Sequence, residues 1–335
     1  MKQKTLLDEE NRLELLSQLG DPLEILNRVI KWEKFRSVLN QGSRKEDTGK
    51  GGRPSYDVVM MFKILVLQRL YNLSDDQTEY QINDRMSFMR FLGINLCDKV
   101  PDAKTIWKFK NDLAETKTVN TLFCMFDEYL EKEGLISHKG TIVDAPRQRN
   151  SRDENNKIKN GEIPEEWEKP ENKSKLAQKD TDADWTKKNG ERHFGYKDHV
   201  KCDADSKLIT NYSVTSASVH DSQRCLVFIG QEDEVLYADS AYSGKPIALA
   251  LPENCKNQIC EKGYRNSPLT SEQKMNNRRK SRIRCRIEQI FGFMTGAMHG
   301  ITIRSIGITR AWMNIGITNL VYNFCRYSYL KRASA

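Results

Sequence analysis

Several features that would define a special class of protein are missing from this sequence. No apolar run approaches the roughly 18 residues that a membrane-spanning helix needs, and the first residues contain no apolar signal region. The cysteines form no Cys-x-x-Cys pair, which argues against a zinc-ribbon site and a disulfide framework. Residues 41–55 are rich in glycine and basic side chains but lack the spacing of a phosphate-binding loop. We therefore expect a cytoplasmic protein with reduced thiols and no membrane association.

The composition is that of a folded protein with a surplus of basic residues. With 335 residues, 38% of them apolar, the chain is long enough for about two domains. It has 54 Lys and Arg against 46 Asp and Glu, which gives a net charge of +8. A surplus of this size suits a polyanionic partner such as nucleic acid.

The amino-terminal part has the apolar spacing of helices from residue 6 to about 133. Helices are predicted at 56–70, 74–84 and 102–115, with a turn at 88–93. The last of these helices places Lys104 and Lys108 on its polar face. Two interpretations stay open: a helix-turn-helix that binds DNA through these lysines, or a plain helical bundle with solvated lysines. We assign residues 1–134 to a helical DNA-binding or dimerisation domain.

From residue 135 to 335 the pattern is that of an α/β domain. Strands are predicted at 141–143, 194–201, 208–214 and 235–238, with a hairpin turn at 203–206, followed by helices at 271–298 and 309–330. Residues 150–190 are too charged to bury a core and are interpreted as a mobile insertion. Trp167 and Trp185 within it are either stacking platforms for bases or anchors onto the domain.

Three separated carboxylates are the strongest functional signal. Asp144 and Asp239 each end a predicted strand, and Glu288 borders the apolar face of a basic helix. Carboxylate oxygens are the ligands that Mg²⁺ prefers, and two such ions can clamp both oxygens of an in-line phosphoryl transfer. The three acids therefore predict a metal site that cuts or joins nucleic acid.

The helix that carries Glu288 also has six basic residues among positions 278–286, as expected where a DNA backbone crosses a site. Arg282 and Arg286 are predicted phosphate contacts. Arg284 has two interpretations: an ion pair with Glu288 one turn on, or a phosphate clamp. The accessory pair His220 and Asp221 follows the third strand, where the imidazole could hold a phosphate, orient Asp221 or cap the next helix.

The chain resembles the bacterial insertion-sequence transposases of the DDE class, specifically the insertion-sequence-five type. Segments similar to the family's amino-terminal region are Gly52-Arg-Pro-Ser-Tyr56, Arg85-Met-Ser-Phe-Met-Arg-Phe-Leu-Gly93 and Val100-Pro-Asp-Ala-Lys-Thr105. Segments similar to its catalytic core are Phe194-Gly-Tyr-Lys197, Val219-His-Asp-Ser222, Tyr237-Ala-Asp-Ser240 and Arg284-Cys-Arg-Ile-Glu288. The family pattern also has Tyr and Lys seven residues before and after the glutamate, where this chain has Ser281 and Thr295.

The resemblance implies an RNase H-like mixed sheet flanked by helices, in which Asp144, Asp239 and Glu288 hold two Mg²⁺ ions that Mn²⁺ can replace. It implies hydrolysis at the ends of a mobile element and joining of the freed 3′ hydroxyl to target DNA, with Lys197 among the DNA contacts. A homodimer that binds double-stranded DNA in the bacterial nucleoid is the expected assembly. A metal-dependent nuclease without strand transfer and a sequence-specific repressor are the alternatives.

Overall fold

The computed structural model describes residues 8–43, 55–150, 163–188, 190–300 and 302–333. Most of the basic segment 41–55 and part of the charged segment 150–190 lie outside the described residues. The chain forms two compact units, one of Met1–Leu122 with Phe324–Ala335 and one of Phe123–Asn323. The first unit thus ends at Leu122, before the predicted boundary at residue 134, and it also includes the end of the chain. The functions assigned to the two halves stay predictions.

The first unit is helical, as predicted. Side-chain caps begin several of its helices: Asp57 accepts from the Val59 amide, Asp102 accepts from the Thr105 amide, and Ser74 forms a capping box with Gln77. Its helices are α1 (Asp8–Gln18), α2 (Pro22–Val29), α3 (Arg36–Gly42), α4 (Val58–Leu70), α5 (Asp75–Asp84), α6 (Met86–Leu92), α7 (Ala103–Glu115) and the start of α8 (Thr118–Lys132).

The prediction of a turn at 88–93 was wrong, because those residues form most of α6. Phe88, Met89, Phe91 and Leu92 of this helix are buried, so packing stabilises a short helix that starts without a side-chain cap. The helix ends at Gly93, which has a φ of 75° that glycine adopts without strain. The turn signal at Gly93 was therefore correct, but it marks only the end of the helix.

The second unit is α/β, also as predicted. Its elements are β1 (Thr141–Asp144), β2 (Arg147–Asn150), α9 (Glu165–Glu168), α10 (Lys173–Leu176), β3 (Asp184–Lys188), β4 (Glu191–Asp203), β5 (Ile209–Ser216), α11 (Ser222–Cys225), β6 (Val235–Ala238), α12 (Lys245–Ala250), β7 (Lys256–Asn257), α13 (Ser271–Arg284), α14 (Arg286–Gly296), β8 (Thr302–Ile303) and most of α15 (Ile308–Ala333). The four predicted strands are β1, β4, β5 and β6.

The long strand β4 is the centre of the sheet. Its register places β1 and β2 in succession along one edge, and β3 and β5 along the other. Beyond β1 lie β6 and then β7, both parallel to β1. The central order is thus β5-β4-β1-β6-β7, with β4 antiparallel to both of its neighbours. This mixed order is the RNase H-like arrangement, and it places the carboxyl ends of β1 and β6 side by side.

The charged segment contributes to this sheet. Residues 163–188 include two short helices and β3, which pairs with β4. Trp167 is 7% exposed, and the ring centroid of Trp185 lies 5.3 Å from that of Phe194. The contact of Trp185 with Phe194 of β4 agrees with its interpretation as an anchor onto the domain, and Trp167 is buried.

The predicted helix 271–298 is interrupted. Cys285 separates α13 from α14, and the Glu288 amide donates to the Cys285 carbonyl, three residues back rather than four. Ile287, Ile290 and Met294 of α14 are buried, as the helical spacing predicted.

All eight cysteines are free thiols. In the part of the chain that the structure describes, no helix is long and apolar enough to cross a membrane.

Candidate active site

Asp144 and Asp239 lie at matching positions in the sheet. Val143 of β1 pairs with Ala238 of β6, so the two aspartates follow the last paired residues of adjacent parallel strands. The carboxyl ends of parallel strands form the edge at which α/β sheets bind ligands. Neither carboxylate is fully buried, and each accepts a local amide, from Ala145 at 2.8 Å and from Ala241 at 2.7 Å.

Arg284 joins the third acid to the first. Its guanidinium donates to Glu288 at 2.8 Å and reaches the Asp144 carboxylate at 3.5 Å. The helix α14 packs against β1, which positions Glu288 near the sheet edge. The predicted ion pair between Arg284 and Glu288 is therefore confirmed, and the same guanidinium also contacts a strand-end acid. It reduces the mutual repulsion of the two carboxylates.

The turn after Asp239 contains a buried tyrosine, Tyr242. Residues Ser240–Tyr242 form one 3-10 turn, and the Asp239 side chain caps it. The Tyr242 ring is fully buried and packs in the cluster that contains Val143 and Ala238, the residues just before the two aspartates. Burial and the neighbouring carboxylates, Asp144 foremost, raise the pKa of Tyr242, so its hydroxyl keeps its proton.

Lys197 and Asp221 form an ion pair beside this edge. The Lys197 ammonium lies 2.9 Å from an Asp221 oxygen and also donates to the Val219 carbonyl. Lys197 is buried, so a DNA phosphate would have to compete with these partners. The exposed His220 ring contacts the Ser222 hydroxyl at 2.7 Å and accepts from the Ser222 amide at the start of α11. Of the three interpretations of His220, this contact agrees with the helix cap.

The basic residues of α13 and α14 differ in their surroundings. Arg282 is exposed, as are Arg278 and Arg279. Arg286 instead donates to the Ala204 carbonyl at 2.9 Å and pairs with Asp205 at 3.0 Å, which fixes the hairpin turn between β4 and β5. The structure therefore gives Arg286 a partner within the domain, whereas Arg282 stands open to solvent.

In the first unit, Lys104 and Lys108 are both exposed on α7. Trp107 lies on the same helix face, because residues three and four apart are neighbours, and it is 53% exposed. Lys110 is different, since its ammonium is bound to Asp75. An exposed tryptophan between two lysines was a signal in the sequence that the prediction of this surface did not use.

A second group of metal-ligand residue types lies at the opposite ends of the same strands. Atoms of His138, Glu232 and Asp233 lie within 4.8 Å of one another. Asp233 is buried and already accepts from the Lys201 ammonium at 2.9 Å and the Thr141 hydroxyl at 2.7 Å. The ion pair with Lys201 therefore accounts for the burial of Asp233.

Comparison with protein families agrees with this geometry. A model described as Transposase DDE domain matches residues 138–324, and one described as Transposase domain (DUF772) matches residues 10–112. The chain belongs to the DDE transposase family. Among solved structures it is similar to the cryo-EM structure of the piggyBac transposase synaptic complex with hairpin DNA, with a TM-score of 0.42 and 12% identity over 93% of this chain and 73% of that chain.

A DDE transposase is a metal-dependent enzyme that hydrolyses and transesterifies DNA phosphodiesters, so divalent cations belong to its chemistry. The residues at the β1–β6 edge fit such ions. They supply carboxylate oxygens from two adjacent strands and one helix, the hard donor set that Mg²⁺ and Mn²⁺ bind. The insertion-sequence-five subtype and the individual site residues stay predictions.

Proposed function

We propose that this DDE transposase binds the terminal inverted repeats of an insertion sequence, hydrolyses the phosphodiester at each end and joins the 3′ hydroxyl to target DNA. The observation that supports this most is the register of β1 and β6, which brings Asp144 and Asp239 together at one sheet edge, with Arg284 linking Asp144 to Glu288. Asp144, Asp239 and Glu288 are the proposed ligands of two Mg²⁺ ions, for which Mn²⁺ can substitute.

When bound, such ions supply an activated water and neutralise the charge that develops on the attacking and leaving oxygens. The chain itself provides the orientation. Backbone amides fix one oxygen each of Asp144 and Asp239, and Arg284 directs Glu288 toward Asp144. The open guanidiniums on α13, Arg282 among them, would hold the DNA backbone across the edge.

Sequence recognition is proposed for α7, whose exposed face carries Lys104, Trp107 and Lys108. The lysines would bind phosphates, and the indole offers an apolar surface to the groove or to an unpaired base. A homodimer that holds two ends together is the proposed assembly, and the bacterial cytoplasm with its nucleoid is the proposed location.

The assignment is tested by replacing each acid with its amide: Asp144→Asn, Asp239→Asn and Glu288→Gln. Each variant should lose cleavage of a labelled element end while keeping its binding to that end, because a metal ligand is removed but the basic surface is not. Near-normal cleavage by one variant would remove that residue from the site.

A nuclease without strand transfer would share the three acids. The two functions are separated with a pre-cut end that has an exposed 3′ hydroxyl, incubated with Mg²⁺ or Mn²⁺ and an intact plasmid. Joined product is expected of a transposase. Cleavage of uncut ends with no joining in either metal would instead favour the nuclease.

A further inference from the structure

Tyr242 has a buried hydroxyl that nothing in the described structure satisfies. The residue is 0% exposed, and its oxygen has no hydrogen-bond partner among the described residues. Buried tyrosine hydroxyls usually find a partner, because leaving one unpaired costs the desolvation of that group. An unpaired hydroxyl at this depth therefore needs an explanation.

The Tyr242 ring packs beside the residues that precede the proposed metal ligands. Tyr242 packs in one cluster with Val143, Ala238 and Cys225. The first two are followed directly by Asp144 and Asp239, and Cys225 belongs to α11, which contacts the Tyr242 turn. The electrostatic influence of Asp144, Asp221 and Asp239 on the Tyr242 hydroxyl agrees with this position. These carboxylates are thus the charged acceptors in the neighbourhood of the unpaired hydroxyl.

The two aspartates already use one oxygen each for a local amide, and Asp144 also contacts Arg284. A carboxylate that binds a cation is commonly held by a further hydrogen bond, which fixes its orientation. A protonated phenol can supply that bond, since it is a donor that keeps its proton at neutral pH.

We propose that Tyr242 is a positioning residue of the metal site, whose hydroxyl donates a hydrogen bond to the Asp144 carboxylate when that carboxylate holds a divalent cation. The proposal rests on the proposed function, because it takes Asp144 as a metal ligand. It would give the buried hydroxyl an acceptor, the carboxylate of the residue that follows Val143 in the chain.

The test is to measure Mn²⁺ binding to the full chain by electron paramagnetic resonance, for the wild type and for the variant Tyr242→Phe. Affinity should fall about tenfold, as expected for loss of a hydrogen bond to a metal ligand. The stability of the metal-free variant in urea should stay equal or rise, since phenylalanine keeps the ring and removes the unpaired hydroxyl.

Tyr196→Phe is the matched control. Tyr196 is also 0% exposed, but its hydroxyl donates to Asp180 at 2.7 Å. That variant should lose stability and keep its Mn²⁺ affinity, which is the opposite pattern. A merely structural role of the Tyr242 hydroxyl would make the two variants alike.

Asp144→Asn separates failure of this inference from failure of the proposed function. If Asp144→Asn lowers Mn²⁺ binding and Tyr242→Phe does not, the role of Tyr242 is overturned and the site stands. If Asp144→Asn leaves Mn²⁺ binding unchanged, the site assignment itself fails, and this inference fails with it. Unfolding of metal-free Tyr242→Phe would also overturn the inference, because the hydroxyl would then be required without the ion.

Discussion

Asp198 is an acid that we expect to be protonated in the folded domain at mildly acidic pH. It lies on β4, is 0% exposed, and burial raises its pKa from 3.8 to about 7. The Asn319 side chain of α15 donates to one Asp198 oxygen at 3.1 Å. The other Asp198 oxygen and the Asn319 oxygen are buried without a hydrogen-bond partner in the described structure. A proton on the Asp198 carboxyl would add a second donor to the Asp198–Asn319 pair, beside the Asn319 side-chain nitrogen.

The sign of the pH dependence follows from the direction of the shift. The folded pKa lies above the unfolded one, so the unfolded chain loses this proton first as the pH rises. The associated stability is therefore present below pH 3.8 and is lost between pH 3.8 and about 7. A shift of this size corresponds to about 4 kcal/mol of unfolding free energy at most, at 1.36 kcal/mol per pKa unit.

The perturbation is Asp198→Asn, which replaces the protonated acid with a neutral group of the same shape. The difference in unfolding free energy, variant minus wild type, should grow by about 3 to 4 kcal/mol from pH 4 to pH 8. Urea unfolding of both proteins at several pH values measures this, and groups that titrate in both proteins cancel in the difference. A constant difference across that range would refute the reasoning, because it would mean that Asp198 is ionised throughout.

Three further outcomes concern DNA and the site. Arg284→Ala should lower end cleavage about 10- to 100-fold while end binding persists, because the guanidinium orients two acids. Arg284→Lys should recover only part of the cleavage activity. Full activity of the alanine variant would contradict this role. Arg282→Ala should weaken binding to all DNA sequences and reduce the slope of log affinity against log salt by about 1, so an unchanged slope would remove its phosphate contact. Lys104→Ala combined with Lys108→Ala should weaken binding to the element end more than to random DNA in competition gel shifts, and equal losses would mean that α7 does not read sequence.

The sequence was sufficient for most of the fold, because its strongest signals are local. The helix starts near Ser74 and Asp102 and the strands that precede Asp144 and Asp239 depend on neighbouring residues, and the structure has them where they were expected. The helix α6 was missed because it is short and starts without a side-chain cap, so that burial of its apolar residues stabilises it. The break at Cys285 was missed because it does not alter the apolar spacing.

The site was harder to predict because its contacts join residues far apart in the chain. Helical spacing predicted that Arg284 and Glu288 could pair, but their link to Asp144 depends on how α14 packs against β1. Tyr242 carries no such signal in the sequence, since its unpaired hydroxyl becomes evident only when its neighbours are known.

The net positive charge alone does not show which side chains bind DNA. Lys197 and Arg286 are held by an acid and a backbone carbonyl each, so they stabilise strand and turn before any DNA arrives. A phosphate that displaced them would first have to break those contacts, and each broken bond would subtract from the gain in binding. Arg282 has an exposed guanidinium, so binding a phosphate there costs only the ordering of that side chain. Binding energy for the DNA backbone should therefore concentrate on α13, while Lys197 and Arg286 contribute by keeping the sheet edge in place.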